Sequence, residues 1–234
     1  MCRMIAYHGE DRTDLRSLVE CLVKAAEDDP LSGSPHGDGW GIVALTQDRL
    51  IHYRSANPIF DPAERSYLLK LIDSFSGEMK VVVHARKASD KRLVSSIYSH
   101  PYLETNDREV LFLAHNGSVD LSLSKELNLN AEYVVDSELI AKFISQKGIN
   151  YVSSLKRWTR SALNLIILKI DRGSGSPMSR SHLLYYNYFL PPYNKVTEEY
   201  YKLYSGKGFV MSSSLVKTGC KDANEVERDK VIEI

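Results

Sequence analysis

The chain has 234 residues, 43% of them hydrophobic and 26% charged, the make-up of an ordinary globular protein with enough length for one large or two small cores. Thirty basic residues balance thirty acidic ones, so no overall charge draws the chain to nucleic acid or to an anionic membrane, and neither partner is expected. No run approaches the roughly 18 apolar residues of a membrane span, and the charged start, apolar core and small-residue cleavage site of a secretory leader are missing.

Cysteine occurs only at positions 2, 21 and 220. An odd number so widely spaced argues against a disulfide framework and a paired-cysteine zinc site, and points to a reducing, cytoplasmic compartment. Arg3 to His8 reads as a short strand ending at Gly9, so Cys2 begins an ordered element. Asp14 to Glu27 carries Leu15, Leu18, Val19, Leu22 and Ala26 at helical spacing, with Thr13 or Asp14 able to cap its start. Cys21 flanks that stripe and reads as a packed thiol.

After a glycine-containing break from Asp28 to Gly39, Gly41 to Leu45 and Arg49 to Arg54 form a hairpin across Thr46-Gln47-Asp48. Asp61-Pro62 opens a second helix, to about Phe75, with proline where its missing N–H does no harm. Met79 to Ala85 and Glu109 to His115 are apolar, β-branched runs of strand length that end in polar residues, where chemistry tends to sit. Helices are expected over Ser137 to Gln146 and Tyr151 to Ser161, followed by strands at Leu163 to Ile170, Ser181 to Tyr188 and Lys207 to Ser212. Arg172 to Ser181, with Gly173, Gly175 and Pro177, is a connection between strands. The rhythm predicts two stacked sheets with helices outside them, an α+β arrangement in a single domain over residues 2–234.

Removing Met1 would leave Cys2 with a thiol and a free α-amine on one residue. An amine with a pKa near ~8 can take the thiol proton, directly or through one water, and return it later to a leaving group. Four polar clusters accompany it. His84-Ala85-Arg86 ends one strand, and Arg86 offers a planar fork suited to a carboxylate or to a surface ion pair. His115-Asn116-Gly117 ends another: Asn-Gly is the commonest tight hairpin turn, or else the Asn116 amide and the Gly117 N–H form a pair of oxyanion donors.

Asp136-Ser137-Glu138 opens a helix, where Asp136 can act as N-cap or hold an ammonium group. Gly37-Asp38-Gly39-Trp40-Gly41 lacks the strand-to-helix context of a phosphate loop, but its tight turns would let backbone approach a small ligand. Histidines 8, 36, 52, 84, 100, 115 and 182 show no metal-ligand spacing, so no metal is expected, and His84 and His115 read as structural partners at strand ends.

Taken together, these residues resemble the class II glutamine amidotransferases, the cysteine branch of the N-terminal-nucleophile hydrolases. The order runs from the terminal cysteine through Gly-Asp-Gly-Trp-Gly, His-Ala-Arg, His100-Pro101 and His-Asn-Gly to Asp-Ser-Glu, over roughly residues 2–215. The resemblance implies a four-layer α/β/β/α sandwich, with Cys2 as nucleophile and base and Asn116 and Gly117 as oxyanion hole. It assigns Arg86 to the α-carboxylate of glutamine and Asp136 to its α-ammonium, with no cofactor.

Some members place tryptophan directly after the arginine and threonine two positions on; here Lys87 and Ser89 stand there, and Ser89 can still supply a hydroxyl. Where many synthases have Arg-Gly, this chain has His36-Gly37. No acceptor module is expected after the last core strand. That leaves three readings: a glutaminase serving a separate synthase subunit, a stand-alone hydrolase of γ-glutamyl amides or peptides, or a non-enzymatic binding protein of the same fold. A homo-oligomer is compatible with each.

Overall fold

A computed structural model describes residues 2–130, 132, 134–191 and 194–234; Met1, whose removal would free the Cys2 amine, lies outside them. Twelve strands run in chain order: β1 (Arg3–Gly9), β2 (Trp40–Thr46), β3 (Leu50–Ser55), β4 (Met79–Ala85), β5 (Tyr102–Thr105), β6 (Glu109–Val119), β7 (Thr159–Asp171), β8 (Ser181–Tyr186), β9 (Leu203–Gly206), β10 (Phe209–Ser212), β11 (Asn224–Glu225) and β12 (Val231–Glu233). The helices are α1 (Arg12–Glu27), α2 (Pro62–Asp73), α3 (Leu123–Glu126), α4 (Asp136–Lys147), α5 (Lys195–Tyr201) and α6 (Ser213–Lys217). The strands form a seven-stranded sheet in the order β11-β9-β10-β1-β4-β2-β3 and a five-stranded sheet in the order β12-β8-β7-β6-β5. Neighbours in both are antiparallel. No helix among the described residues is long and apolar enough to cross a membrane.

The layers follow from the period of two along a strand. In β1, Ile5 and Tyr7 join Ala44 of β2, Val81 and Val83 of β4 and the apolar stripe of α1 in one core. The alternate residues Met4, Ala6, Val43, Leu45 and Val82 turn the other way and meet Phe112, Ala114, Ile166, Leu168, Leu183 and Tyr185 of the second sheet. The far face of that sheet, with Leu111, Leu113, Leu165 and Ile167, packs on Leu139, Ile140, Phe143 and Ile144 of α4. Three apolar layers therefore separate four layers of structure, α/β/β/α, as the resemblance implied. Each fully buried leucine or valine contributes roughly 1.5–3 kcal/mol.

Several boundaries differ from expectation for local reasons. Asp11 caps α1, its side chain accepting from Thr13 N, so Thr13 and Asp14 lie in the first turn. The expected helix from Tyr151 to Ser161 is a 3-10 segment, Ile149–Trp158, in which the two buried residues Val152 and Leu155 recur at the three-residue period of that helix; Thr159 then starts β7. Asn116-Gly117 is not a hairpin turn. It lies within β6, which continues to Val119 across a register shift.

Cys21 is not a packed thiol, because it forms a disulfide with Cys220, their Cα atoms 5.7 Å apart. Cys21 sits at the edge of the α1 stripe, and the chain after α6 returns to that edge, a pairing across 199 positions that spacing alone could not suggest. The cysteine count therefore no longer argues for a reducing compartment.

Candidate active site

Strand parity decides which side chains meet at the Cys2 end of the sandwich. Cys2 has the parity of Met4 and Ala6, and Asn116 that of Phe112 and Ala114, so both point into the layer between the sheets. The Cys2 backbone nitrogen donates to Asn116 Oδ1 at 2.8 Å, and both residues are buried. That bond orients the amide: Asn116 Nδ2 is left without a hydrogen-bond partner among the described residues. Cys2 Sγ lies 3.9 Å from the Lys87 carbonyl oxygen.

A cavity of about 480 Å³ opens over this pair. Of the six residues selected from the sequence, Cys2, Arg86, Ser89, Gly117 and Asp136 line it, and Asn116 stands behind them. Gly117 has φ +150°, and a Cβ built there would lie 1.9 Å from the Ala162 carbonyl oxygen, so no other residue fits that turn of the backbone.

Arg86 is buried just past the end of β4. Its Nη1 donates to the Leu93 carbonyl at 2.9 Å and more weakly to that of Asp38 at 3.4 Å, while Nε and Nη2 have no acceptor among the described residues. Asp136 is the first residue of α4, with Val135 as its cap, and so is not the N-cap the sequence suggested. Its Oδ2 accepts from Val119 N at 2.9 Å and its Oδ1 from Ser137 N at 2.8 Å, which fixes a half-buried carboxylate against the wall. Ser89 is exposed at the rim.

The Gly-Asp-Gly-Trp-Gly turn acts on the protein, not on a ligand, which corrects the expectation from sequence. A Cβ at Gly39 would lie 2.3 Å from Ser99 Oγ, and one at Gly41 2.2 Å from the His100 carbonyl oxygen. Trp40 is fully buried and donates to Glu64 of α2 at 3.0 Å. Asp38 holds the loop after Arg86, accepting from Ala88 N at 2.8 Å and from Lys91 Nζ at 2.6 Å.

Buried histidines surround the site. His115 Nε2 donates to the Ala162 carbonyl at 3.2 Å, which leaves Nδ1 to accept from Ser137 Oγ at 2.9 Å; burial pushes its pKa down, so the ring is held neutral. His84 donates from Nε2 to the His115 carbonyl at 3.2 Å, and burial lowers it to about 3. His100 stacks on His84 with ring centroids 4.0 Å apart, and burial, then the neighbouring His84 and His115, push it well below the ordinary value.

Next to Cys2, Arg3 Nε donates to Asp29, which also accepts from His36 Nε2 at 2.9 Å and Ser214 Oγ at 3.0 Å. Burial acts to raise the Asp29 carboxyl, but the bonds from His36 and Arg3 outweigh it and hold the group well below the carboxylate range. His36 is thus committed to this buried network.

Sequence reasoning missed several residues of the wall: Tyr102, Ser118, Ser161 and Tyr201. Tyr102 lies on β5, and Tyr201 ends α5, two elements too short to register as periodic runs. Ser118 and Ser161 carry no motif at all. Among the described residues, no group of three or more His, Cys, Asp or Glu is placed to hold a metal ion.

No protein-family model and no curated protein matches the sequence. Comparison of folds does find a counterpart, a solved structure described as the allosteric regulatory enzyme of purine biosynthesis, with a TM-score of 0.61 and 17% identity. The match covers 100% of this chain and 47% of that one, so the chain spans about half the length of the structure it resembles. At that level of identity the likeness is one of fold, and the shared fold is the four-layer α/β/β/α sandwich that the motifs led one to expect.

Proposed function

We propose that this chain is a glutamine amidotransferase-type enzyme, in which the Cys2 thiolate attacks the side-chain amide of glutamine. The observation that carries the reading is the 2.8 Å bond from the Cys2 nitrogen to Asn116 Oδ1 at the base of the cavity. With Met1 removed, that nitrogen is an amine. One of its hydrogens donates to Asn116, and its lone pair is left to take the thiol proton.

The carbonyl oxygen of the tetrahedral intermediate would lie against Asn116 Nδ2 and the Gly117 N–H, donors needed most when negative charge develops. The C–N bond then breaks, and the amine returns its proton to the departing ammonia. Water attacks the γ-glutamyl thioester, giving glutamate and the free thiol. Arg86, with its Nε and Nη2 side open, suits the α-carboxylate, and the Asp136 carboxylate suits the α-ammonium. His36 and His84 are poor alternative bases, since each is buried and burial lowers its proton affinity.

The test is glutamate release from glutamine by protein shown by intact mass to lack Met1. Wild type should turn over, while Cys2→Ala and a homogeneous sample that retains Met1 should not. Equal steady-state release by the Cys2→Ala protein would refute the nucleophile, and full turnover with Met1 in place would refute the amine as base.

A further inference from the structure

Three asparagines stand in a row across the second sheet. Asn116 of β6 lies directly opposite Asn164 of β7. The pairing of β7 with β8 sets Leu165 opposite Tyr186, and one step further along the same register Asn164 faces Asn187, the residue after β8. Asn164 has the parity of Ile166 and Leu168, and Asn187 that of Leu183 and Tyr185, so both point, like Asn116, into the layer between the sheets. All three are buried, none more than 1% exposed. The core around them is built of methionine, alanine, valine, leucine, isoleucine and aromatic residues, and an aliphatic side chain at either new position would leave no amide to satisfy.

The middle amide is tied down through both of its polar atoms. Asn164 Oδ1 accepts from Asn187 Nδ2 at 2.6 Å, and Asn164 Nδ2 donates to the Tyr201 carbonyl at 2.7 Å, which also accepts from Asn187 Nδ2 at 3.0 Å. Tyr201 is the last residue of α5, and the last carbonyls of a helix have no donor within it. The carbonyl before it, that of Tyr200, accepts from Arg3 Nη1 at 3.2 Å and from Ser213 Oγ at 3.2 Å. The end of α5 is thus bonded on one side to the residue after Cys2 and on the other to the residue opposite Asn116. The Cys2 nitrogen, donating to Asn116 Oδ1 at 2.8 Å, closes the circuit: Cys2, Arg3, the peptide between Tyr200 and Tyr201, Asn164, Asn116 and back to Cys2.

A circuit of that kind fixes the spacing between Cys2 and Asn116. β1 and β6 belong to different sheets, so that spacing is set by whatever crosses the layer between them. Directly opposite residues on one face of a sheet have Cβ atoms about 4.5–5.5 Å apart, near enough for a fixed Asn164 amide to limit how the Asn116 side chain turns. Resting on the oxyanion role proposed above for Asn116, we infer that Asn164 is a positioning residue for that donor, held in its turn by Asn187. Asn164 does not line the cavity, so it acts only through its neighbour. It keeps Asn116 Nδ2 aimed where negative charge develops, and a misplacement of ~1 Å there costs on the order of 10²-fold in rate.

The experiment is a double-mutant cycle on Met1-free protein shown by circular dichroism to be folded, with glutamate release from glutamine as the readout. Asn164→Ala should lower kcat by about tenfold while KM stays within about twofold of wild type. Asn116→Ala should lose more, and adding Asn164→Ala to it should cost less than about twofold further, because a residue that acts through Asn116 then has nothing left to position. Full additivity, the result expected of a residue that only stabilises the fold, overturns the proposal, and so does an Asn164→Ala protein with wild-type kcat. Should Asn164→Ala fail to fold, Asn187→Ala takes its place in the same cycle, with a loss of about threefold expected and the same two results counting against the proposal. Folded wild type that releases no glutamate, or an Asn116→Ala protein as active as wild type, removes the oxyanion reading and the positioning role with it.

Discussion

The layer between the sheets has a cavity at each end, and the two ends are built on opposite principles. At the Cys2 end the cavity is about 480 Å³, and several nearby buried atoms have no hydrogen-bond partner among the described residues: Nδ1 of His36 and His84, both ring nitrogens of His100, Nη2 of Arg3 and the Tyr200 hydroxyl. At the other end, a cavity of about 540 Å³ is lined by Glu78, Lys80, Ser181, His182 and Glu233. There most polar groups are paired, Arg180 Nε being one buried atom beside them without a partner among the described residues: Lys80 Nζ donates to the Ser181 carbonyl at 2.6 Å and its hydroxyl at 3.0 Å, His8 Nε2 meets Glu78 at 2.9 Å, and His182 Nδ1 meets Glu233 at 3.0 Å. A buried polar atom without a partner costs stability, so a concentration of them marks a place retained for something other than stability.

The sharpest way to test this contrast is to alter the Cys2 end one group at a time. Asn116→Ala removes a donor needed mainly in the transition state, so kcat should fall by about 10²–10³-fold with a smaller change in KM. Asp136→Ala removes a partner present for substrate and transition state alike and should act chiefly on KM. Steady-state kinetics in which both variants shift KM alone would dissolve that division of roles.

The histidines offer a test by acidity. The folded-state pKa values of His84 and His100 lie below the ordinary 6.5, so below that pH the unfolded chain binds protons that the folded chain refuses. Stability present above pH 6.5 should therefore drain away as pH falls toward about 3, by up to about 1.4 kcal/mol per pH unit for each such histidine. Denaturant unfolding at several pH values checks it, and a flat profile from pH 7 to 4.5 would mean that these rings are not held neutral by burial.

Away from both ends, Cys220→Ser should lower the unfolding free energy by about 2–4 kcal/mol by freeing the denatured chain. An unchanged denaturation midpoint would mean that the bond adds nothing. Smallest of all should be the effect of Lys80→Met on catalysis. It leaves Ser181 short of a donor and should cost about 1–3 kcal/mol of stability, yet glutamate release should stay within twofold. A large loss of activity there would erase the distinction between the two ends.

The sequence made the surroundings of Cys2 legible and left the opposite wall blank, for physical reasons. Cys2, Arg86 and Asp136 sit at the ends of long elements whose apolar period announces them, Asn116 follows the apolar run of β6, and their types declare their chemistry. Ser118, Ser161 and Tyr201 have side chains equally at home on any surface, and only the pairing of β6 with β7 brings the two serines together. The strands Met79–Ala85 and Arg3–Gly9 were readable because alternate residues face two different cores and both are apolar. By contrast β9, β11 and β12, two to four residues each, depend on partners far away in the chain. The Gly-Asp-Gly-Trp-Gly turn was noticed but misread, because close approach to a ligand and close approach to one's own backbone ask for the same glycines.

The bond between Cys21 and Cys220 closes nearly the whole polypeptide into a ring, with short tails on either side. A protease that cuts once anywhere inside that ring, for instance in the exposed connection at residues 172–177, would open it without releasing either piece. A singly nicked molecule would thus run as one band without reductant and as two with it, and its tail carrying Cys2 would stay tethered to the domain it serves.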